Sequence, residues 1–469
     1  MGGTVRDLLL ERESRDLDLL VFGDVFRVAR ELASALEGSW FVLDDFQKHI
    51  RVQAKSLPGL CIDLSESKGQ SLGENLKERD FTINAMALDI LEYQTYLETG
   101  DLYRTSEKIV DPGQGRSDTR ARLIRLNHPQ AFANDPIRLL RAPRLAAQLG
   151  FDIARSTVES IRSKAPLLAQ TSGERVRDEL FQILKLIDSA KVINKLKELG
   201  LLAHFLPELT STVGVTQNEH HALDVWGHSL AALNRLEAKQ WQLLDIDQEM
   251  QQYLKEYLKE PLVEGRSRWL ILKLAALLHD IGKPQVWDVK QDGKVTFHRH
   301  EKVGSLMASA IANRLRLSRR EEKSLSLIVY QHLRPLHLFL AENHTEKAEY
   351  RLFKQLEPET ISVLLLSLAD RSAGKSAKEI EGVRWFFKFI EQLIIKYFRD
   401  FKAAIGRRLL SGEDLINTFG LSPGPQFRSI LSMIEEAQME GRIHTREEAI
   451  NLVNHIFQAS RTEHKKKRS

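Results

Sequence analysis

Two aspartates one residue apart stand in the run RDLDLLVF, Arg15 to Phe22. On a strand, residues two apart share a face. Asp16 and Asp18 then point one way, and Leu17 and Leu19 point into a core. Like charges at that spacing repel unless a cation joins them, and hard divalent cations take carboxylate oxygens. A third acidic strand position follows at Asp63, in CIDLS. Gly2 and Gly3 open the helical stretch GGTVRDLLL. Backbone N–H groups at such a start cradle a triphosphate, and Arg6 adds positive charge nearby. Carboxylates on neighbouring strands beside a phosphate cradle suit two Mg²⁺ ions ~4 Å apart, one activating a hydroxyl and one stabilising pyrophosphate. The bland alternative for an isolated Asp-x-Asp is an amphipathic strand with a polar outer face.

A second set is built on histidine. His279 and Asp280 are adjacent at the end of the apolar run LKLAALLHDIGKP. His228 lies in DVWGHSL, His300 in FHRHEKVGS, His332 in VYQHLRP and Asp370 in LLSLADRSAG. Imidazole with carboxylate suits a divalent transition metal, whose bound hydroxide attacks a phosphoester. A single helical histidine is more often a hydrogen-bonded core residue, so the inference depends on several converging.

The elements that must position these residues fall into two styles. LDLLVF, SWFVLDD, HIRVQAK and LCIDLSE read as strands. DVFRVARELASALEG reads as a helix ending near Gly38, and RDFTINAMALDIL as a second one. From about residue 119 onward strand signals nearly vanish. DPIRLLRAPRLAAQLGF, SGERVRDELFQILKLI and later segments have helical periodicity. Ser189 to Phe205, with Pro207 after it, reads as a complete helical unit with a stop. The expected fold is an α+β head, then an all-α neck and body, an all-α histidine-rich domain and a helical C-terminal arm. The boundaries fall at 1–118, 119–215, 216–385 and 386–469.

The chain has 469 residues, too many for one ordinary core. Hydrophobic residues make up 42% and charged residues 28%, which excludes a disordered chain. A net charge of +4 permits a nucleic-acid partner without demanding one. The basic tail HKKKRS reads as a solvated terminus. With one cysteine, Cys61, no intramolecular disulfide and no cysteine-based zinc site can form. No apolar run approaches the ~20 residues of a membrane span, and there is no secretory h-region. A cytoplasmic protein is expected.

GGTVRDLLLERESRDLDLLVFG, KERDFTINAMALDI, IVDPGQGRSD, NDPIRLLRAPRLAAQLGF and SGERVRDEL, in that order, resemble the class II tRNA nucleotidyltransferases. That family comprises CCA-adding enzymes and bacterial poly(A) polymerases. The resemblance runs through about residue 186 and returns in the final helical region. It implies that Asp16 and Asp18 hold the metals, that Arg79 and Asp80 contact the ribose of the incoming nucleotide, and that Asn84 supports them. It also implies that Asp135 and Arg138 pair with the base edge. Aspartate accepts from the amino group of C or A and arginine donates to the ring, so U and G are rejected. Three apart, the two lie on one helix face, and the bland alternative is a surface ion pair. Arg141 lies on the same side, and Glu174 and Arg175 match a bracing motif. The order His228, His279–Asp280, Asp370 resembles the HD superfamily of metal-dependent phosphohydrolases, with His300 and His332 matching the extra histidines of two-metal members.

Three departures from the family's pattern follow. The sequence starts at the Gly-Gly turn, where the family has an apolar strand upstream. Asn134 stands where a glutamate is usual. The segment between Asp63 and Arg79 is short, which resembles relatives that add only CC. The expected function is addition of C, A or both, from CTP and ATP, to tRNA 3′ ends, with HD action on RNA 3′ phosphates. The alternatives are a poly(A) polymerase acting on varied RNA ends, an HD phosphohydrolase whose head merely binds RNA, and a non-catalytic RNA-binding protein. The oligomeric state stays open.

Overall fold

The computed structural model describes residues 1–44, 48–57, 59–67, 71–217, 223–341, 345–374, 383–402, 409–439 and 442–455. The chain divides into two compact units, Met1–Pro207 and Glu208–Ser469. Among the described residues no helix is long and apolar enough to cross a membrane. The basic tail lies outside the described residues, as does part of the Asp63–Arg79 segment.

The first unit opens with helix α1 (Gly3–Leu9), strand β1 (Asp16–Val21), helix α2 (Val25–Ala35) and strands β2 (Ser39–Asp44), β3 (His49–Gln53) and β4 (Cys61–Glu66). The sheet order is β1-β4-β3-β2. β1 runs parallel to β4, and the other neighbours are antiparallel. Alternation decides which face does what. Leu17, Leu19 and Val21 pack with Ile50, Val52, Ile62 and Leu64 against Val25, Ala29 and Ala33 of α2. Each fully buried branched side chain contributes roughly 1.5–3 kcal/mol. The other face carries Asp16, Asp18, Arg51 and Asp63. α2 is capped by the Asp24 carboxylate, which accepts from the amides of Phe26 and Arg27.

Three local expectations are corrected. RDFTINAMALDIL is not a helix. After helix α3 (Leu72–Lys77) the chain makes a short 3₁₀ turn, Thr82–Asn84, and becomes helical only in α4 (Ile90–Thr99). Phe81 bridges to Leu126 and Ala87 to Val110, and Phe81, Ile83, Ala85 and Met86 are all fully buried. An apolar run covered on every side carries no periodic signal. The helix from Ser189 ends at Glu198, and Pro207 starts another short helix rather than stopping one. Third, Asp135 and Arg138 do not share a helix. Helices α5 (Leu102–Glu107) and α6 (Gly115–Arg120) precede α7 (Ala131–Asn134). Asp135 is the extended residue that ends α7, and Arg138 begins α8 (Arg138–Leu149). Pro136 between them disfavours a helical conformation at the residue before it.

The second unit is helical apart from two short two-stranded pairs among its described residues. Its core is formed by the helices Val225–Glu237, Arg268–Leu278, Arg319–Gln331 and Thr360–Ser372. Lys273, almost fully buried, pairs with Glu237 at 2.7 Å. Leu415, Ile430, Ile434, Ala449 and Val453 form a separate cluster toward the C-terminus.

Candidate functional sites

In the first unit, Gly2 has a φ of 58°, and a Cβ there would lie 2.7 Å from Arg79 Nη1 and 3.0 Å from Asp18 Oδ2. The turn therefore requires glycine. The Thr4 hydroxyl ties α1 to β1, accepting from the Asp18 amide at 2.9 Å and donating to the Asp16 carbonyl at 3.2 Å. Asp16 is exposed and Asp18 half-buried. Burial, together with nearby Asp63, raises the Asp18 carboxyl above its ordinary pKa, while Arg79 opposes the shift. Burial lowers Arg79, against the pull of Asp18 and Asp80.

An open cavity of about 670 Å³ lies here. Gly3, Arg6, Asp18, Arg79, Asp80, Asn84, Arg138 and Arg141 line it, as the sequence leads one to expect. Arg144, His49 and Asn75 line it too, and sequence reasoning missed them. Arg144 had a signal, since 138, 141 and 144 repeat at helical spacing. Asp16, Asp63, Asp135 and Gly2 are not among the lining residues.

One polar chain crosses the cavity wall. Arg6 Nη1 donates to Asn84 Oδ1 at 2.8 Å, and Asn84 Nδ2 donates to Asp80 Oδ1 at 3.1 Å. Arg141 Nη1 donates to Asp80 Oδ2 at 3.2 Å. Glu179, on helix Gly173–Leu184, accepts from Arg141 at 3.2 Å and from Arg144 at 2.7 Å. Burial would raise the Asp80 pKa, but Arg141 and the Asn84 and Phe81 donors outweigh it and hold Asp80 below its ordinary value. Both Asp80 oxygens thus have partners within the protein.

Asp135 Oδ2 accepts from Arg175 Nη2 at 2.8 Å and lies 3.8 Å from Arg138 Nε. Asp135 Oδ1 and Arg138 Nε are buried without a hydrogen-bond partner. A bare acceptor therefore sits beside a bare donor. Asp63 pairs in register with Asp18 across the β1–β4 ladder, and its two oxygens each accept from Arg51 at 2.7 Å. Strand alternation puts Arg51 on this face, but nothing local in the sequence signalled its pairing with Asp63.

In the second unit all six residues singled out by sequence come together. His228 Nε2 is 2.7 Å from Asp370 Oδ1, and His279 Nε2 is 3.2 Å from Asp280 Oδ2. His300 Nε2 is 3.3 Å and His332 Nε2 3.9 Å from Asp280 Oδ1. His279, His300 and His332 each direct Nδ1 at a backbone carbonyl, those of Ala276, Phe297 and Val329. That bond orients each ring with Nε2 facing the cluster. The three Nε2 atoms are buried with no hydrogen-bond partner. The donors form two groups, His228–His279–Asp370 and Asp280–His300–His332, each with its ligand atoms within 4.8 Å of one another. This donor set fits metal cations.

Charge sorts the cluster. Burial would lower His279, but Asp280 and Asp370 outweigh it and push it up to about 10. Burial, with His279 beside it, pushes His332 down to about 3. Lys283 Nζ donates to Asp280 Oδ2 and to Gln217 Oε1, both at 2.6 Å. Gly282 and Gly304 let two segments meet: a Cβ on Gly282 would lie 2.3 Å from the His300 carbonyl oxygen.

Known proteins match both units of the chain. A family described as the poly A polymerase head domain matches residues 1–125. One described as a probable RNA and SrmB-binding site of polymerase A matches 150–212. The HD domain family matches 248–374. The A-adding tRNA nucleotidyltransferase of Deinococcus radiodurans is 31% identical, over 96% of this chain and 93% of its own length. The CC-adding tRNA nucleotidyltransferase of Geobacter sulfurreducens is 30% identical, over 96% of this chain and 89% of its own. Among solved structures, an apo CCA-adding enzyme has a TM-score of 0.60 at 18% identity, over 96% of this chain and 88% of that one. The Thermotoga maritima CCA-adding enzyme complexed with tRNA has a TM-score of 0.55 at 20% identity, over 97% of this chain and 90% of that one.

Proposed function

The chain belongs to the tRNA nucleotidyltransferase family, and from that premise we propose that its first unit adds C, A or both to tRNA 3′ ends through the cavity beside Asp18. It is an enzyme that takes CTP or ATP and tRNA as substrates. The observation that carries the base choice is the buried, unpartnered pair of Asp135 Oδ1 and Arg138 Nε. Such a pair matches the amino group and adjacent ring acceptor of C or A, and leaves groups of like polarity facing each other with U or G. A poly(A) polymerase acting on any RNA is not favoured, because the high-coverage relatives act on tRNA by name.

The tRNA 3′ hydroxyl attacks the α-phosphate and pyrophosphate leaves. Asp16 and Asp18 would hold a divalent cation such as Mg²⁺, which when bound would neutralise triphosphate charge and ease loss of the hydroxyl proton. The Gly3 amide and the cationic wall of Arg79, Arg141 and Arg144 orient the triphosphate. Asp80 and Asn84 keep that wall in register and border the ribose. The second unit carries the HD reading. The four histidines and two aspartates of its cluster would hold divalent transition metals, which would supply a bound hydroxide for hydrolysis of phosphates on RNA ends. The domain bounds near 118, 215 and 385 belong to the same proposal, as does a cytoplasmic setting, where tRNA is matured.

The test is incorporation of each labelled nucleotide into tRNA transcripts ending before CCA, after C and after CC. CTP then ATP incorporation identifies a complete CCA enzyme. CTP alone, or ATP only onto the CC end, identifies half of a two-enzyme system. ATP onto any RNA, or no incorporation at all, would overturn the proposal.

A further inference from the structure

Period-2 alternation puts Arg51 on the carboxylate face of the sheet, with its neighbours Ile50 and Val52 fully buried on the other. In the β3–β4 ladder Arg51 stands opposite Asp63, and in the β1–β4 ladder Asp63 stands beside Asp18. The guanidinium meets Asp63 fork to fork, Nε to Oδ1 and Nη2 to Oδ2, both at 2.7 Å. The third carboxylate of the patch is therefore fully engaged by a cation from its own sheet. The side chains are 34% and 32% exposed, so water and ions reach the fork. A bidentate pair is directional, yet one this exposed is weak enough to exchange.

We propose that Arg51 is a positioning residue that competes with the active-site cation for Asp63. This rests on Asp16 and Asp18 being the cation's holders. With the fork closed the cation meets only those two carboxylates. With it open, Asp63 swings free as a further oxygen donor, the number of carboxylates facing the metal changes, and Arg51 is released toward the solvent. Arginine does not deprotonate at any working pH, so the exchange is a side-chain rotation and does not follow a titration.

The experiment is Mn²⁺ binding, followed by the electron paramagnetic resonance signal of the free ion. It uses the full chain, with the second centre emptied by His279→Gln and Asp370→Asn and folding checked by circular dichroism. Arg51→Gln and Arg51→Lys each tighten Mn²⁺ binding by about fivefold, the scale of a part-exposed ion pair. The lysine variant keeps the charge and loses the fork, so its effect separates competition from simple repulsion. In an Asp63→Asn background the same Arg51 substitutions change nothing. Unchanged binding in the single variants overturns the inference. So does equal tightening in the Asp63→Asn background, which would make Arg51 a bystander charge. If Asp16→Asn and Asp18→Asn bind Mn²⁺ like the parent, the metal reading itself has failed, which is a distinct result.

Discussion

At the scale of single residues, the site depends on which polar atoms have partners. Asp135 Oδ1 and Arg138 Nε have none, so removing either should cost discrimination more than folding. Asp135→Ala is expected to raise UTP incorporation relative to CTP by about tenfold or more, the worth of a base-edge contact. Steady-state incorporation with each nucleotide measures it, and unchanged selectivity would show that the pair is only an ion pair. Asp80 makes the opposite case, since both its oxygens are satisfied inside the protein. Its folded pKa is depressed. Its stabilising contribution is therefore present above the unfolded carboxylate value of about 3.9 and lost as pH falls through the lower folded value. Asp80→Asn should lower stability near neutrality by about 1–3 kcal/mol, because Arg141 is left short of a partner. It should also flatten the acid limb of the stability curve. Urea unfolding between pH 7 and pH 2 reads both effects.

At the scale of elements, the strands were legible because alternation is local. DLDLLV declares its buried and polar faces within six residues, and β1 spans them. The segment RDFTINAMALDIL was not legible, because Phe81 and Ala87 are held by bridges to Leu126 and Val110, which no local pattern reveals. Arg51 and Glu179 escaped for a related reason. The Glu179–Arg141 contact joins residues 38 apart, and only the packing of two helices brings them together. The six metal-ligand candidates were legible because each sits in its own short motif at a helix end or turn. That geometry has an exacting point at Gly282, whose Cβ would meet the His300 carbonyl oxygen and the Gly304 amide nitrogen at 2.3 Å and 2.6 Å. Gly282→Ala should force the two segments apart, costing about 2 kcal/mol by overpacking, and reduce bound metal. Thermal unfolding and elemental analysis test this together; a variant with full metal content would show that the close approach is not needed.

At the scale of the whole molecule, the two proposed chemistries fall on two compact units, Met1–Pro207 and Glu208–Ser469. Effects at sites with no shared partners are close to additive. Asp18→Asn should therefore abolish nucleotide transfer while leaving metal-dependent hydrolysis within about twofold, and Asp370→Asn should do the reverse. Parallel assays on one preparation decide it, and loss of both activities in either variant would mean that the centres act as one. The overall plan, an α+β head followed by helices, follows from where strand signals stop. The position of the break between units does not, because the helical character continues on both sides of Pro207.

The acceptor proposed to read the incoming base is held from three places: Asp135 ends one short helix, Arg138 begins the next, and Arg175 reaches it from helix Gly173–Leu184 at 2.8 Å. On the proposed reading, accuracy is a property of an angle among helices, while bond-making belongs to the sheet. The two need not fail together on heating. On the proposed reading, loosening that helix contact should let errors climb while turnover is still rising, giving a fidelity ceiling in temperature below the activity optimum.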